Sequence, residues 1–199
     1  MSRLKDAAHA DRKATHQAAQ ARDTWPVRIA GAASEGADQP PLIALSLATI
    51  ATGAALRRPN VVRGGVRMLA AHALATGIKT VLKTNIDRTR PLKALAEGHS
   101  IGKGTGTEDS DLNSFPSGHT AGAVAVAQAA ARDMPALAIP ARVAAGAVAA
   151  IQMPRGKHYI SDVMAGAAIG LASEWAVSAA MRRGERALAA WRERRDDQK

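Results

Sequence analysis

Five apolar, alanine-rich segments, at residues 42–56, 66–82, 117–131, 136–153 and 159–181, dominate the chain, and each stops at an arginine, a lysine or a proline. Strands run about four to eight residues and alternate in polarity. These segments are longer and show no period-two alternation, so they read as helices. Of the 199 residues 47% are hydrophobic but only 3% aromatic, and alanine, the best helix former, carries much of the apolar content. The expected fold is all-α: an up-and-down bundle of about five apolar core helices plus an N-terminal amphipathic helix. Residues 1–40 form a polar segment, helical at 3–24 and broken by Pro26 and the 31–41 stretch. Residues 41–181 form the core, with a polar, glycine-rich loop at 84–115. Residues 182–199 form a basic tail.

A bilayer span needs about 20 apolar residues, and the second, fourth and fifth segments come near that length. If the segments alternate across a membrane, Arg57, Arg58, Arg63, Arg67, Arg132 and the arginine-rich tail fall on one side. That is the positive-inside pattern, and it assigns those loops to the cytoplasm. The expectation is a protein of the bacterial inner membrane. Against it stand the weak lipophilicity of alanine and an overall mean hydropathy of −0.12. Residues 1–28 contain no apolar core of a secretory signal. The chain has no cysteine, which excludes disulfides, thiolate-held metal and a thiol nucleophile. The net charge of +10 sits at segment ends without interleaved aromatics, which argues against nucleic acid as a partner. The basic tail suits an anionic lipid surface instead. The sequence sets no oligomeric state.

Three clusters lie at segment boundaries: Lys83 with Arg90-Pro91; Ser114-Phe115-Pro116-Ser117-Gly118-His119; and His158 with Asp162, preceded by Arg155 and Lys157. Up-and-down alternation brings all three to one end of the bundle, opposite the arginine-rich loops and so outside the cytoplasm. Each part suits a phosphate. Ser117 is a candidate N-cap, and Gly118 lets a ligand approach free N–H groups at the positive end of a helix dipole. Arg90 can grip two phosphate oxygens, while Lys83 acts as a point charge. Asp162, four residues after His158, can hold the imidazole in one tautomer and leave its other nitrogen free to attack phosphorus. His119 is placed to protonate the leaving oxygen. Cations and N–H groups supply the charge stabilisation, so no metal or other cofactor is called for.

The three clusters, in this order, resemble the signature of the type-2 phosphatidic acid phosphatase (PAP2) superfamily, K-x6-RP, PSGH and SR-x5-H-x3-D. The first two match in full, at Lys83, Arg90 and Pro91 and at Pro116, Ser117, Gly118 and His119. The third matches at His158 and Asp162; the family's arginine is replaced by Gln152 and its serine by Ile151. The resemblance implies a lipid phosphate or diphosphate as substrate and a phosphohistidine intermediate. It implies His158 as nucleophile, Asp162 as its orienter, His119 as acid and then base, and Lys83, Arg90, Ser117 and Gly118 as the phosphate cradle. Gln152 implies weakened turnover, with Arg155 as a possible substitute from the next turn. Two alternatives share the fold: a phosphate- or lipid-binding membrane protein of weak or no activity, and a vanadate-dependent haloperoxidase. Elsewhere His72 reads as a packing histidine, His99 as a solvated loop residue, and Glu108, Asp109 and Asp111 as a solvated acidic loop. The stretch 102–105 lacks the glycine and the hydroxyl residue of a P-loop.

Overall fold

The computed structural model describes residues 2–107 and 109–197, and the expected all-α bundle is what it contains. Helix α1 (Ser2–Ala19) is followed by α2 (Trp25–Ser34) and a 3₁₀ turn at Glu35–Ala37. Then come α3 (Gln39–Ala55), α4 (Pro59–Asn85), β1 (Ile86–Arg88), α5 (Pro91–Glu97) and β2 (Ile101–Lys103). Helices α6 (Gly118–Asp133), α7 (Ala138–Ile151) and α8 (Ile160–Asp196) complete the chain. Proline stands in the first two positions of α2, α3, α4 and α5, where its missing N–H costs nothing and its fixed φ favours the first turn.

Helix α6 is the axis of the bundle, with α3, α4, α7 and α8 packed around it. Its alanines are almost all buried, and Ala125 and Ala129 join Leu42, Met68, Ala71 and Ala75 in the main core cluster. Side chains this small bring backbones together. A Cβ at Gly166 of α8 would lie 2.5 Å from the Ser117 carbonyl oxygen, and one at Gly170 would lie 2.7 Å from that of Ala121. Backbone cannot yield as a flexible side chain does, so Gly166→Val must push α8 away from α6. The expected loss is about 1–3 kcal/mol. Gly184 has open space around it, and Gly184→Ala is expected to leave the protein unchanged or slightly more stable. Thermal unfolding of the two variants in detergent checks the contrast.

Several boundaries differ from the sequence reading. Helix α2 runs through the first part of the 31–41 stretch, because Gly31 is buried against Arg155 rather than ending the helix. Helix α4 starts at Pro59, so Arg67 lies two turns inside it and not in a loop. Helix α8 continues through the basic tail to Asp196, since its arginines and glutamates are good helix formers. The 84–115 loop holds an antiparallel β1–β2 pair, with Asp87 opposite Gly102, besides helix α5.

The arginine-rich end is also less bare than its sequence. Buried Arg67 pairs with Asp133 at 2.9 Å and bonds Ser178 at 2.7 Å, Arg63 pairs with Glu185 at 3.0 Å, and Arg132 pairs with Glu174. Among the described residues, Arg57 and Arg58 keep no such partner at the α3–α4 turn.

Candidate active site

At the opposite end of the bundle a polar cavity of about 170 Å³ lies between α4 and the start of α6. The α4 wall is a stripe of His72, Thr76, Lys79 and Lys83, spaced so that all four share one helix face. Gly118 and His119 enter from the first turn of α6, Arg90 from the N-cap of α5, and His158 from the loop between α7 and α8. In that loop the N–H groups of Lys157 and His158 both donate to the Gln152 carbonyl. Gly156 makes the turn possible at φ +66°, with a Cβ there 2.6 Å from Leu92 Cγ.

His158 is buried, and its Nδ1 lies 2.7 Å from the Ser114 carbonyl oxygen. A carbonyl only accepts, so Nδ1 carries the proton and Nε2 keeps its lone pair. Burial pushes the His158 pKa down to about 4, against the opposing pull of Asp162. The imidazole is therefore neutral at pH 7. Asp162 stands behind the ring, 3.8 Å from Nδ1, close enough for charge interaction and too far for a hydrogen bond. It accepts hydrogen bonds from Ser114 Oγ at 2.6 Å, the Tyr159 N–H at 2.9 Å and Arg88 Nη1 at 2.5 Å.

His119 is half-buried, with Nε2 3.4 Å from Glu35 Oε2 in the 3₁₀ turn after α2. Glu35 is held in turn by Arg155 and by Lys157, the latter at 3.3 Å. The hydrogen bond from Arg155 is the main reason its pKa falls to about 2. Glu35, Asp38 and His119 present ligand atoms within 4.8 Å of one another. Asp38 and His119 line the cavity, whereas Glu35 does not and is already engaged by two cations.

Of the residues singled out in the sequence, Lys83, Arg90, Gly118, His119 and His158 share the cavity wall. Ser117 and Asp162 do not line it. Ser117 is fully buried, its N–H donates to the Asp162 carbonyl at 3.1 Å, and its hydroxyl pairs with Thr120 Oγ1 at 2.9 Å. Gln152 is fully buried too, donating from Nε2 to Val148 O at 2.9 Å and away from the cavity. Arg155 is turned to Ser34 and Glu35 and lines no part of the cavity.

His72 is buried as a packing histidine should be, yet it lines the cavity and neither ring nitrogen has a partner among the described residues. His99 is not a solvated loop residue: it packs edge-on against buried Tyr159, ring centroids 5.5 Å apart. Asp109 caps a 3₁₀ turn and accepts from Lys93, while Glu108 lies outside the described residues.

Three participants escaped the sequence reading. Arg88 sits inside the Lys83–Arg90 motif, with its guanidinium 4.1 Å over the Tyr159 ring and bonded to Asp162 and Ser161. Asp11 of α1 accepts from Arg88 at 3.2 Å and from Ser161 Oγ at 2.5 Å, so the N-terminal helix braces the back of the site. Glu35 is the third. Asp11 and Glu35 lie in the N-terminal segment, where no motif marks them. Arg88 lies inside the Lys83–Arg90 motif but at a position the motif leaves open.

Residues 64–186 match the family model of the PAP2 superfamily. No curated protein matches the sequence. The crystal structure of a transmembrane PAP2 type phosphatidylglycerolphosphate phosphatase from Bacillus subtilis has a similar fold. The TM-score is 0.65 at 21% identity, over 89% of this chain and 87% of that one.

Proposed function

Because the chain belongs to the PAP2 superfamily, we propose that it is a membrane-embedded phosphatase that hydrolyses a lipid phosphate or diphosphate through a phosphohistidine, without a metal. The observation that carries this reading is the unprotonated Nε2 of His158 in a cavity walled by cations and His119. In the first step Nε2 attacks phosphorus and the P–O bond to the leaving group breaks. His119 donates the proton that the departing oxygen needs. The phosphorylated imidazole keeps its Nδ1 proton on the Ser114 carbonyl, and Asp162 balances the charge gained by the ring. In the second step His119 takes a proton from water as the water oxygen attacks phosphorus. The P–N bond breaks and its electrons return to Nε2. Lys83, Arg90 and the free N–H groups at the start of α6 hold the phosphoryl oxygens throughout.

A lipid substrate is supported by a second, apolar cavity of about 790 Å³ lined by Leu42, Met68, Val126, Ala141 and Val148 among others. Ala37 lines both cavities. Leu42 reaches the partition between them, 2.9 Å from where Gly122 would carry a Cβ. A headgroup in the polar cavity thus leaves an acyl chain at the apolar one.

Membrane embedding is supported by α8, the one helix among the described residues long and apolar enough to cross a bilayer. Apolar side chains also point outward all round the bundle: Ile43, Leu47, Val66, Val81, Ile139, Val143, Met164 and Trp175 are exposed. Arg57 and Arg58 at the far end support, by the positive-inside rule, an extracytoplasmic polar cavity at the inner membrane.

Gln152 favours a second reading, phosphate binding with little turnover, since it brings no cation to the cavity. The test is phosphate release by the detergent-purified protein in EDTA from phosphatidic acid, phosphatidylglycerol phosphate and undecaprenyl diphosphate. Release from at least one lipid is expected. Silence on the whole panel, with phosphate binding intact, would establish the second reading.

A further inference from the structure

Besides Lys83 and Arg90, a third cation faces the polar cavity. Lys79 stands one turn before Lys83 on α4, in the same stripe as His72 and Thr76. Its stem crosses the first residue of α6: a Cβ on Gly118 would lie 3.0 Å from Lys79 Cδ and 3.8 Å from Nζ. The ammonium is therefore beside the first turn of α6, whose opening N–H groups have no helical acceptor. Lys79 is half-buried, and among the described residues it makes no hydrogen bond or ion pair. Asp38, the one carboxylate lining the cavity among the described residues, acts on it only at longer range. A partly desolvated charge without a counter-ion is costly, and an anion arriving in the cavity relieves that cost. Neither Gln152 nor Arg155 lines the cavity, so no other cation takes this place.

We propose that Lys79 is a direct ligand of the substrate phosphoryl group, completing with Lys83 and Arg90 a three-cation cradle against a dianion. The assignment rests on the phosphatase reading for the identity of the anion, and it adds a contact which the motifs do not contain. Lys79 reaches the phosphoryl group from the α4 side, across Gly118, while Arg90 reaches it from α5. A Cβ at position 118 would press on the Lys79 stem, at Cδ, rather than on the ammonium itself.

Orthovanadate is the probe, titrated calorimetrically into the detergent-purified full chain. Lys79→Met and Lys79→Gln are expected to weaken its binding about ten- to a hundredfold. Lys79→Arg should stay within about threefold of the wild type, because the charge is kept. Lys93→Met, at a partly exposed residue outside the cavity that pairs with Asp109 and Glu97, should change nothing. Protection of Lys79 from acetylation by orthovanadate in the unmutated protein tests the same contact without any variant. Wild-type-like binding by folded Lys79→Met or Lys79→Gln, or absent protection, would overturn the assignment. If orthovanadate binds through Lys79 and no lipid phosphate is hydrolysed, the Lys79 contact stands and the turnover reading falls. If phosphate is released equally by wild type and Lys79→Met, Lys79 alone falls.

Discussion

Substituting His158 by alanine is expected to abolish phosphate release, by at least about 10⁴-fold, while the helices stay folded. The size follows from the proposed role, since no other unprotonated nucleophile among the described residues lines the cavity with its second nitrogen fixed on a carbonyl. Radiolabelled lipid phosphate checks it: the wild type should carry an acid-labile label and His158→Ala none. The same residue has a stability signature. Its pKa is about 4 in the folded protein against an ordinary value of about 6.5. Between those pH values the unfolded chain binds a proton that the native protein refuses. Stability is therefore complete above about pH 6.5 and declines as pH falls towards 4, by on the order of 3 kcal/mol from this group. His158→Asn should flatten that part of the unfolding profile. A His158→Ala variant with even a tenth of wild-type turnover would remove His158 as nucleophile.

Arg88→Ala is expected to be the most destabilising single change at this end of the molecule. The guanidinium is 9% exposed and joins two carboxylates from distant parts of the chain, Asp162 and Asp11. Asp162 is wholly buried. Without Arg88 it keeps only the hydroxyl of Ser114 and the N–H of Tyr159 as direct hydrogen-bond donors. Breaking a buried pair by removing one partner costs about 3–5 kcal/mol. Turnover should fall as well, about ten- to a hundredfold, because Asp162 and the Ser114 segment together set the His158 ring. Arg88→Lys keeps one charge and loses the fork, so it should recover only part of both losses. A double-mutant cycle of Arg88→Ala with Asp11→Ala should show coupling above about 1 kcal/mol. Additive effects would mean that α1 does not brace the site.

Much of the fold was legible because its helices are held by repeated small apolar residues, and that pattern survives in one dimension. The stops at Arg132 and Asp133, and the start at Ser117, fell within a residue or two of the ends of α6. The site was legible where the bundle itself does the positioning. Lys83, Gly118, His119 and His158 sit at ends of consecutive helices, and antiparallel packing brings such ends together without further instruction. At two places side-chain geometry added what residue spacing does not carry. Arg155 lies near the site in sequence, yet the carboxylate of Glu35, 120 residues earlier, takes its guanidinium. Asp162 has the spacing of an orienter, but the contact on Nδ1 comes from the Ser114 carbonyl, a backbone group that no residue pattern reveals.

Alone, then, the sequence determined which segments are helices, which ends meet, and which family the arrangement belongs to, because those depend on period, breakers and motif order. It could not determine that Asp11 braces Arg88 and Ser161, that Glu35 meets His119, that Arg88 joins two carboxylates, or that Lys79 has no counter-ion among the described residues. Those depend on distances across the packed bundle, between residues as many as 150 positions apart. Charge pairing at such separations is decided by how closely the helices approach, and here that approach is set by Gly166 and Gly170 against the carbonyls of α6.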